Sequence, residues 1–376
     1  MALTVKALNG DCTFLLTFSP PIAPPGSTAA FPGSFTILID PWLGGPSVLL
    51  SPKFSITEHK QEPSISSLSE LPDIPDVVLI SQDKSDHCHQ ETLRGLNPRD
   101  GSMIVATSSA ARKIRGFNHF DPSNIYALAP YSAKKPNTVF RIPVPAFSLG
   151  GSEGEVTITL IPAKWDISGV HNAIGITYRP PSSVISAQVN YWVDLPMTPP
   201  MSPLSPTRTV SGRPLTPLSG RPVTLSPSPY HDRERPVSLI YSPHGVPYHL
   251  IESYASNHLM AEAALPLHAL IHSFDRIRNP WILGGTISYG FPGGVEIAKN
   301  LQPKVWISAH DEDKDVKGVS SKTVKTIKFT TDEIRAMLKG QAEGASRAIC
   351  PNTEVLCLSA GEDYRIESES RGKQKS

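Results

Sequence analysis

Short apolar runs and alternations, separated by polar, proline- and glycine-rich stretches, run through most of the chain. Four aliphatic residues in a row, Val77-Val78-Leu79-Ile80, predict a strand buried on both faces. Further strands are predicted at 2–6, 12–18, 35–39, 103–106, 173–178, 189–193, 237–241, 305–309 and 354–358. The alternation Val156-Thr157-Ile158-Thr159-Leu160 predicts a half-buried one. Helices are predicted from Gln90, over 108–115, over 257–273 with a break near Pro266, and over 293–301 and 331–339. Residues 19–33 read as a long proline-rich hairpin loop and 51–76 as loop. No period repeats along the chain.

The pattern fails in one long stretch. Residues 195–236 are crowded with proline and poor in aliphatic residues, so they bury too little apolar surface to offset their ordering entropy. They are expected to be a disordered insertion in a surface loop. The expected plan is one interrupted domain, with halves 1–194 and 237–370 and a frayed tail at 371–376. With 35 basic and 34 acidic residues the net charge is +1, which argues against a dedicated nucleic-acid or membrane surface. Cys12, Cys88, Cys350 and Cys357 are too few and scattered for a disulfide framework, which suits a cytoplasmic or nuclear setting. No signal peptide is expected, since the first residues enter directly into a strand, and no integral membrane segment is expected.

Candidate chemistry sits where predicted strands end. Ile80 leads through a polar turn to Asp86-His87, Val193 leads to Asp194, and Ala309 leads to His310. Two carboxylates and two imidazoles on rigid strand ends suit a zinc, iron or manganese site. The bland alternatives are an N-cap for Asp86, a turn start for Asp194 and a surface position beside acids for His310. His87-Cys88-His89 places its ligands too close together for an ordinary tetrahedral shell. His171 and His244 read first as hydrogen-bonded loop histidines, and each is also a candidate replacement ligand.

Taken in order, Ile39-Asp40-Pro41-Trp42, the strand before Asp86-His87, the Pro162-Ala163 loop, Asp194 and His310 resemble the metallo-β-lactamase superfamily. Its branch of ascorbate-phosphate lactonases and N-acyl phosphatidylethanolamine phospholipase D is the most similar. The resemblance spans about residues 3–365 without the insertion and implies an α+β, four-layer αββα sandwich. It also implies a departure. The family's His-x-His-x-Asp-His loop is here Gln82-Asp83-Lys84-Ser85-Asp86-His87, and the family's next histidine is here Trp165, beside Lys164. The first metal site thus loses its histidines, while Asp86, His87, Asp194 and His310 match the second. On this resemblance Asp40 orients a ligand imidazole. The Lys84 ammonium either stands in for the lost cation or reaches out to solvent, and Lys164 and Trp165 shape the substrate end, with His171 on the same side.

Two functions follow. The first is a hydrolase of esters, lactones or phosphodiesters with at most one divalent transition metal, zinc being the first candidate, and with Asp86 and Lys84 as catalytic groups. The second is an inactive relative that works by binding, with or without metal. Its functional part would be the Ser/Thr-Pro pairs of 195–236, accessible to a proline-directed kinase or a proline-recognition domain. The identity of a small-molecule substrate does not follow from the sequence, and nucleic acid ranks last as a partner.

Overall fold

Val77–Ile80 is a central strand with all four residues buried. Val77 and Leu79 face one apolar layer, and Val78 and Ile80 face another. This is the geometry that an unbroken aliphatic run requires, because a strand alternates its side chains between two faces. The computed structural model describes residues 1–24, 26–27, 30–49, 51–146, 151–163, 166, 169–181, 235–280, 285–319, 322–341 and 348–368.

Two mixed seven-stranded sheets dominate the fold. The first runs in space through Asp363–Glu367, Ala2–Ala7, Phe14–Ser19, Phe35–Ile39, Val77–Ile80, Met103–Thr107 and Ile125–Leu128. The second runs through Glu354–Leu356, Val305–Ile307, Ala269–His272, Val237–Ser242, Asn172–Arg179, Gly154–Pro162 and Phe140–Val144. Pairing is parallel from Phe35–Ile39 to Ile125–Leu128 and from Val237–Ser242 to Glu354–Leu356, and antiparallel elsewhere in both sheets.

The sheets meet face to face over a core that includes Val5, Phe14, Leu16, Ile37, Leu79, Ile174, Leu239, Tyr241 and Ile271. Helices cover both outer faces. Ala110, Ala111 and Ile114 of helix Ser108–Gly116 pack on Val78, Ile80 and Ile104. Residues of helices Tyr248–Tyr254, Gly290–Leu301 and Thr331–Leu338 pack on Ile240, Leu270, Trp306 and Val355. The architecture is therefore the expected four-layer αββα sandwich, with helix, sheet, sheet and helix in turn.

Two stretches differ from expectation. In place of a helix over 257–273, the helix Tyr248–Tyr254 runs into a wider turn at Ala255–Leu259, and Ala269–His272 is a parallel strand of the second sheet. Ala269, Leu270, Ile271 and His272 are all buried, and a short run buried on both sides has no period that tells strand from helix. Residues 51–76 also contain a strand, Ser55–Glu58, which pairs with both Ser47–Leu49 and Asp315–Lys317. The predicted strand at 189–193, residues 195–234 of the expected insertion and the tail at 371–376 lie outside the described residues.

Candidate metal centre

The site forms where the two sheets end side by side. Phe35–Ile39 ends at Asp40, Val77–Ile80 at the loop carrying Asp86 and His87, Val237–Ser242 at His244, and Val305–Ile307 at His310. The turn before Phe14–Ser19 adds Asp11 and Cys12.

Asp40 is fully buried and has a left-handed backbone, φ 42°. Its carboxylate accepts from the Ser81 backbone N–H at 2.7 Å, the Tyr241 hydroxyl at 2.7 Å and His87 Nδ1 at 2.8 Å, and also from the Ser81 hydroxyl. Because His87 Nδ1–H donates to Asp40, its Nε2 is left with a lone pair. His310 repeats the pattern with a second buried acid: Nδ1 lies 3.3 Å from Asp11 Oδ2, and its backbone N–H donates to the Asp11 carbonyl at 2.9 Å. His310 too has positive φ, 65°, in the region that costs an ordinary residue about 1 kcal/mol or more. The two Nε2 atoms lie 3.8 Å (His87) and 4.0 Å (His310) from Asp86 Oδ2. His244 Nε2 stands 3.2 Å from His87 Nε2, and the His244 and His310 ring centres are 4.3 Å apart. A tetrahedral zinc site with bonds near 2.0–2.1 Å has donor–donor edges of about 3.3 Å, and the His87–His244, His87–Asp86 and His310–Asp86 separations of 3.2, 3.8 and 4.0 Å are close to that edge.

Electrostatics favour ligation at three of the four residues. Burial raises the Asp86 carboxyl, but His87, His310 and Lys314 pull it below its ordinary value. Burial pulls His87 down, while Asp86 and Asp40 push it up to a net raised value. His310 is lowered, first by burial and then by Lys314. His244 falls well below the usual range, through burial and the neighbouring His310 and His87, and is neutral. The ionised Asp86 carboxylate and the lowered His244 and His310 imidazoles suit metal ligation, whereas the raised His87 has a proton to give up to an incoming ion.

A second donor set, Cys12, His87 and His310, has its ligand atoms within 4.8 Å of one another. We favour the set with Asp86 and His244. Cys12 Sγ sits 3.6 Å from His87 Nδ1, the nitrogen already committed to Asp40. Burial and the Asp11 and Asp40 carboxylates raise the Cys12 thiol well above its ordinary value, and it lies 3.4 Å from Asp11 Oδ2 as a donor.

The expected residues fare differently. Asp86, His87 and His310 come together. Asp86 is not a helix cap, because His89 caps helix Gln90–Leu93 by accepting from the Thr92 N–H. Cys88 packs in the apolar layer outside the first sheet, which raises its thiol to about 12. Lys84 Nζ lies 3.4 Å from Asp83 Oδ1 with its side chain 30 % exposed, and the ammonium beside the buried acids is Lys314 instead, 2.7 Å from Asp11 Oδ1. Sequence spacing could not single out Lys314, which reaches the site because Asp315–Lys317 pairs with Ser55–Glu58. His171 donates Nε2–H to the Thr286 carbonyl at 2.8 Å, the hydrogen-bonded loop role expected of it. Gln82 is 1 % exposed, and neither end of its amide has a hydrogen-bond partner among the described residues. Asp194, Lys164 and Trp165 lie outside the described residues.

His244, expected first as a loop histidine and second as a replacement ligand, faces His87 and His310. Its turn, Ser242-Pro243-His244-Gly245, requires glycine at the end: Gly245 has φ 72°, and a Cβ there would stand 2.7 Å from His272 Nε2. A strand end followed by a tight turn was the signal that could have found it.

Residues 30–156 match the sequence profile of the Beta-lactamase superfamily domain. No curated protein sequence matches the chain. Among solved structures, the chain aligns with Igni18, described as a novel metallo hydrolase from Ignicoccus hospitalis, at 12% identity and TM-score 0.45, over 98% of this chain and 100% of that one. It also aligns with CmlA, a diiron beta-hydroxylase from Streptomyces venezuelae, at 12% identity and TM-score 0.41, over 82% of this chain and 45% of that one. The profile match covers the stretch that holds Asp40, Asp86 and His87, and with the face-to-face mixed sheets and their outer helices it makes the fold metallo-β-lactamase-like.

Proposed function

We propose that this protein is a metal-dependent hydrolase holding at most one divalent ion, with zinc the first candidate, at Asp86, His87, His244 and His310. The observation that carries this reading is the pair of buried carboxylates behind the histidines. Asp40 holds His87 by Nδ1, Asp11 and Lys314 both meet His310 at Nδ1, and both remaining ring nitrogens lie about 4 Å from one Asp86 oxygen. An ion there supplies Lewis acidity for ester, lactone or phosphodiester cleavage and makes water more acidic.

The chain's own groups do the rest. The Asp11 and Asp40 side chains are fully enclosed, while that of Asp86 is 24 % exposed, so Asp86 is the acid that meets solvent and substrate. It either completes the ligand set or accepts a proton at its carboxylate. Gln82 and Lys84, where the resembled family has histidines, support the one-ion limit and the degenerate first site. The likeness to the branch of ascorbate-phosphate lactonases and N-acyl phosphatidylethanolamine phospholipase D makes lactones and phosphodiesters the first substrates to try. All four cysteines are free and three are buried, which supports a reducing, cytoplasmic or nuclear setting. No helix among the described residues is long and apolar enough to cross a membrane.

Metal analysis of the purified chain, with turnover of ester, lactone and phosphodiester probes, tests the proposal. The expectation is up to one ion per chain, lost in His87→Ala and His310→Ala together with turnover. A wild type with neither metal nor turnover would overturn it. The same Gln82 and Lys84 positions favour a second reading, an inactive relative that acts through the Ser/Thr-Pro pairs of 195–236. Phosphorylation of those pairs by a proline-directed kinase, or capture by a proline-recognition domain, would support it, and absence of both would count against it.

A further inference from the structure

Behind His310 the site contains a cation of its own. Lys314 Nζ lies 2.7 Å from Asp11 Oδ1 and 3.2 Å from His310 Nδ1, and it sits 5.8 Å from the centre of the Trp42 ring. Its side chain is 11 % exposed, and that of Asp11 is fully enclosed. The lysine is fixed from two sides. Strand Asp315–Lys317 pairs with Ser55–Glu58. His59 donates Nε2–H to the Trp42 carbonyl at 3.1 Å and meets Glu312 through Nδ1. Nothing in this arrangement is a flexible surface ion pair.

A fixed positive charge one imidazole ring from a metal position has two consequences. It balances acids that would otherwise be buried with an unmet charge, so the centre holds together without a metal. It also repels an incoming divalent ion, and by approaching His310 Nδ1 it competes for the nitrogen that must donate to Asp11 if Nε2 is to ligate. Resting on the metal-centre reading above, we propose that Lys314 is a resident counter-cation that sets the metal affinity of this site, keeping the metal-free protein folded and making its binding of divalent ions weaker and reversible.

The test is a zinc titration of the full chain against a competing chromophoric chelator, with thermal melts in EDTA. Lys314→Met should bind zinc about tenfold or more tightly than wild type, and Lys314→Arg should stay close to wild type. In EDTA, Lys314→Met should melt below wild type, because Asp11 has lost its partner, and zinc should restore it. Equal or weaker zinc affinity in Lys314→Met overturns the inference alone. Zinc binding absent from wild type and variants alike overturns the metal-centre reading and this inference with it. Should Lys314→Met not fold, the double change Asp11→Asn with Lys314→Met removes both charges together. Affinity at or above wild type then supports the inference, and affinity below wild type overturns it.

Discussion

Tyr241, on the second sheet, donates its hydroxyl to Asp40 Oδ2, at the end of a first-sheet strand, at 2.7 Å. The two residues are 201 positions apart, and their bond ties the sheets together directly beneath the candidate metal centre. Burial and the Asp40 carboxylate push the Tyr241 phenol well above its ordinary value, so it acts only as a donor here.

Tyr241→Phe is therefore expected to destabilise the fold by about 1–3 kcal/mol, the usual cost of losing a buried hydrogen bond to a charged group. It should also weaken metal binding, since Asp40 then holds His87 less rigidly. Urea denaturation and zinc titration of the variant read the two effects separately. A loss of stability with unchanged affinity would mean that His87 is oriented without help from Tyr241.

Gly294 lies in helix Gly290–Leu301 directly over Trp306, and a Cβ at that position would stand 2.0 Å from the Trp306 ring. Trp306 cannot easily move, because it is fully buried and donates Nε1–H to the His272 carbonyl at 3.1 Å. Alanine gains up to about 1 kcal/mol of helix propensity over glycine, and overpacking costs about 1–3 kcal/mol. Gly294→Ala should thus be destabilising in a chemical melt despite the better helix former.

His272 is fully buried and neutral, its Nδ1–H donated to the Ser273 carbonyl at 2.8 Å, and burial lowers it from 6.5 to about 4. Between those two pH values the unfolded chain binds a proton there that the folded chain does not. Stability from this group is then complete above about pH 6.5 and is lost as pH falls, reaching roughly 3 kcal/mol by pH 4. Other groups titrate in the same window, and Asp311, raised by burial to about 7, works in the opposite direction. The measurement is therefore the difference between wild type and His272→Gln. That difference in unfolding free energy should shrink or reverse between pH 7 and pH 4.5, and a constant difference would count against a buried neutral His272.

Lys84→Ala should change stability by no more than about 0.5 kcal/mol, because a partly exposed pair such as Lys84–Asp83 contributes little. Metal content should also stay as in wild type. A large effect on either would mean that Lys84 turns inward in solution.

Much of the scaffold was legible in the chain. Val77–Ile80, Val237–Ser242 and Val305–Ile307 are apolar runs long enough for a strand and too short for most helices, and they formed strands at the expected places. Ala269–His272 was not legible, because a run buried on both faces carries no period. Asp86-His87 stood out because it follows a buried strand through a short polar loop. Asp11, His244 and Lys314 did not stand out, and each for its own reason. Asp11 lies in a turn before its strand, His244 in a turn that also suits an ordinary hydrogen-bonded histidine, and Lys314 within the charged run Asp311-Glu312-Asp313-Lys314.

The sequence by itself determined most of the long strands, because side-chain alternation and aliphatic runs are local properties of the chain. It also determined which strand ends carry acids and imidazoles. Only the tertiary structure decided which of these meet. Asp11 and His310 are 299 positions apart, and His87 and His244 are 157 apart. Their contacts depend on the spatial order of strands in two sheets and on how the sheets stack. The choice of Lys314 over Lys84 as the buried cation was settled in the same way, by the pairing of Asp315–Lys317 with Ser55–Glu58. A side chain's charge is fixed by its chemistry, but what neutralises that charge is fixed by its neighbours, and here those neighbours come from distant parts of the chain.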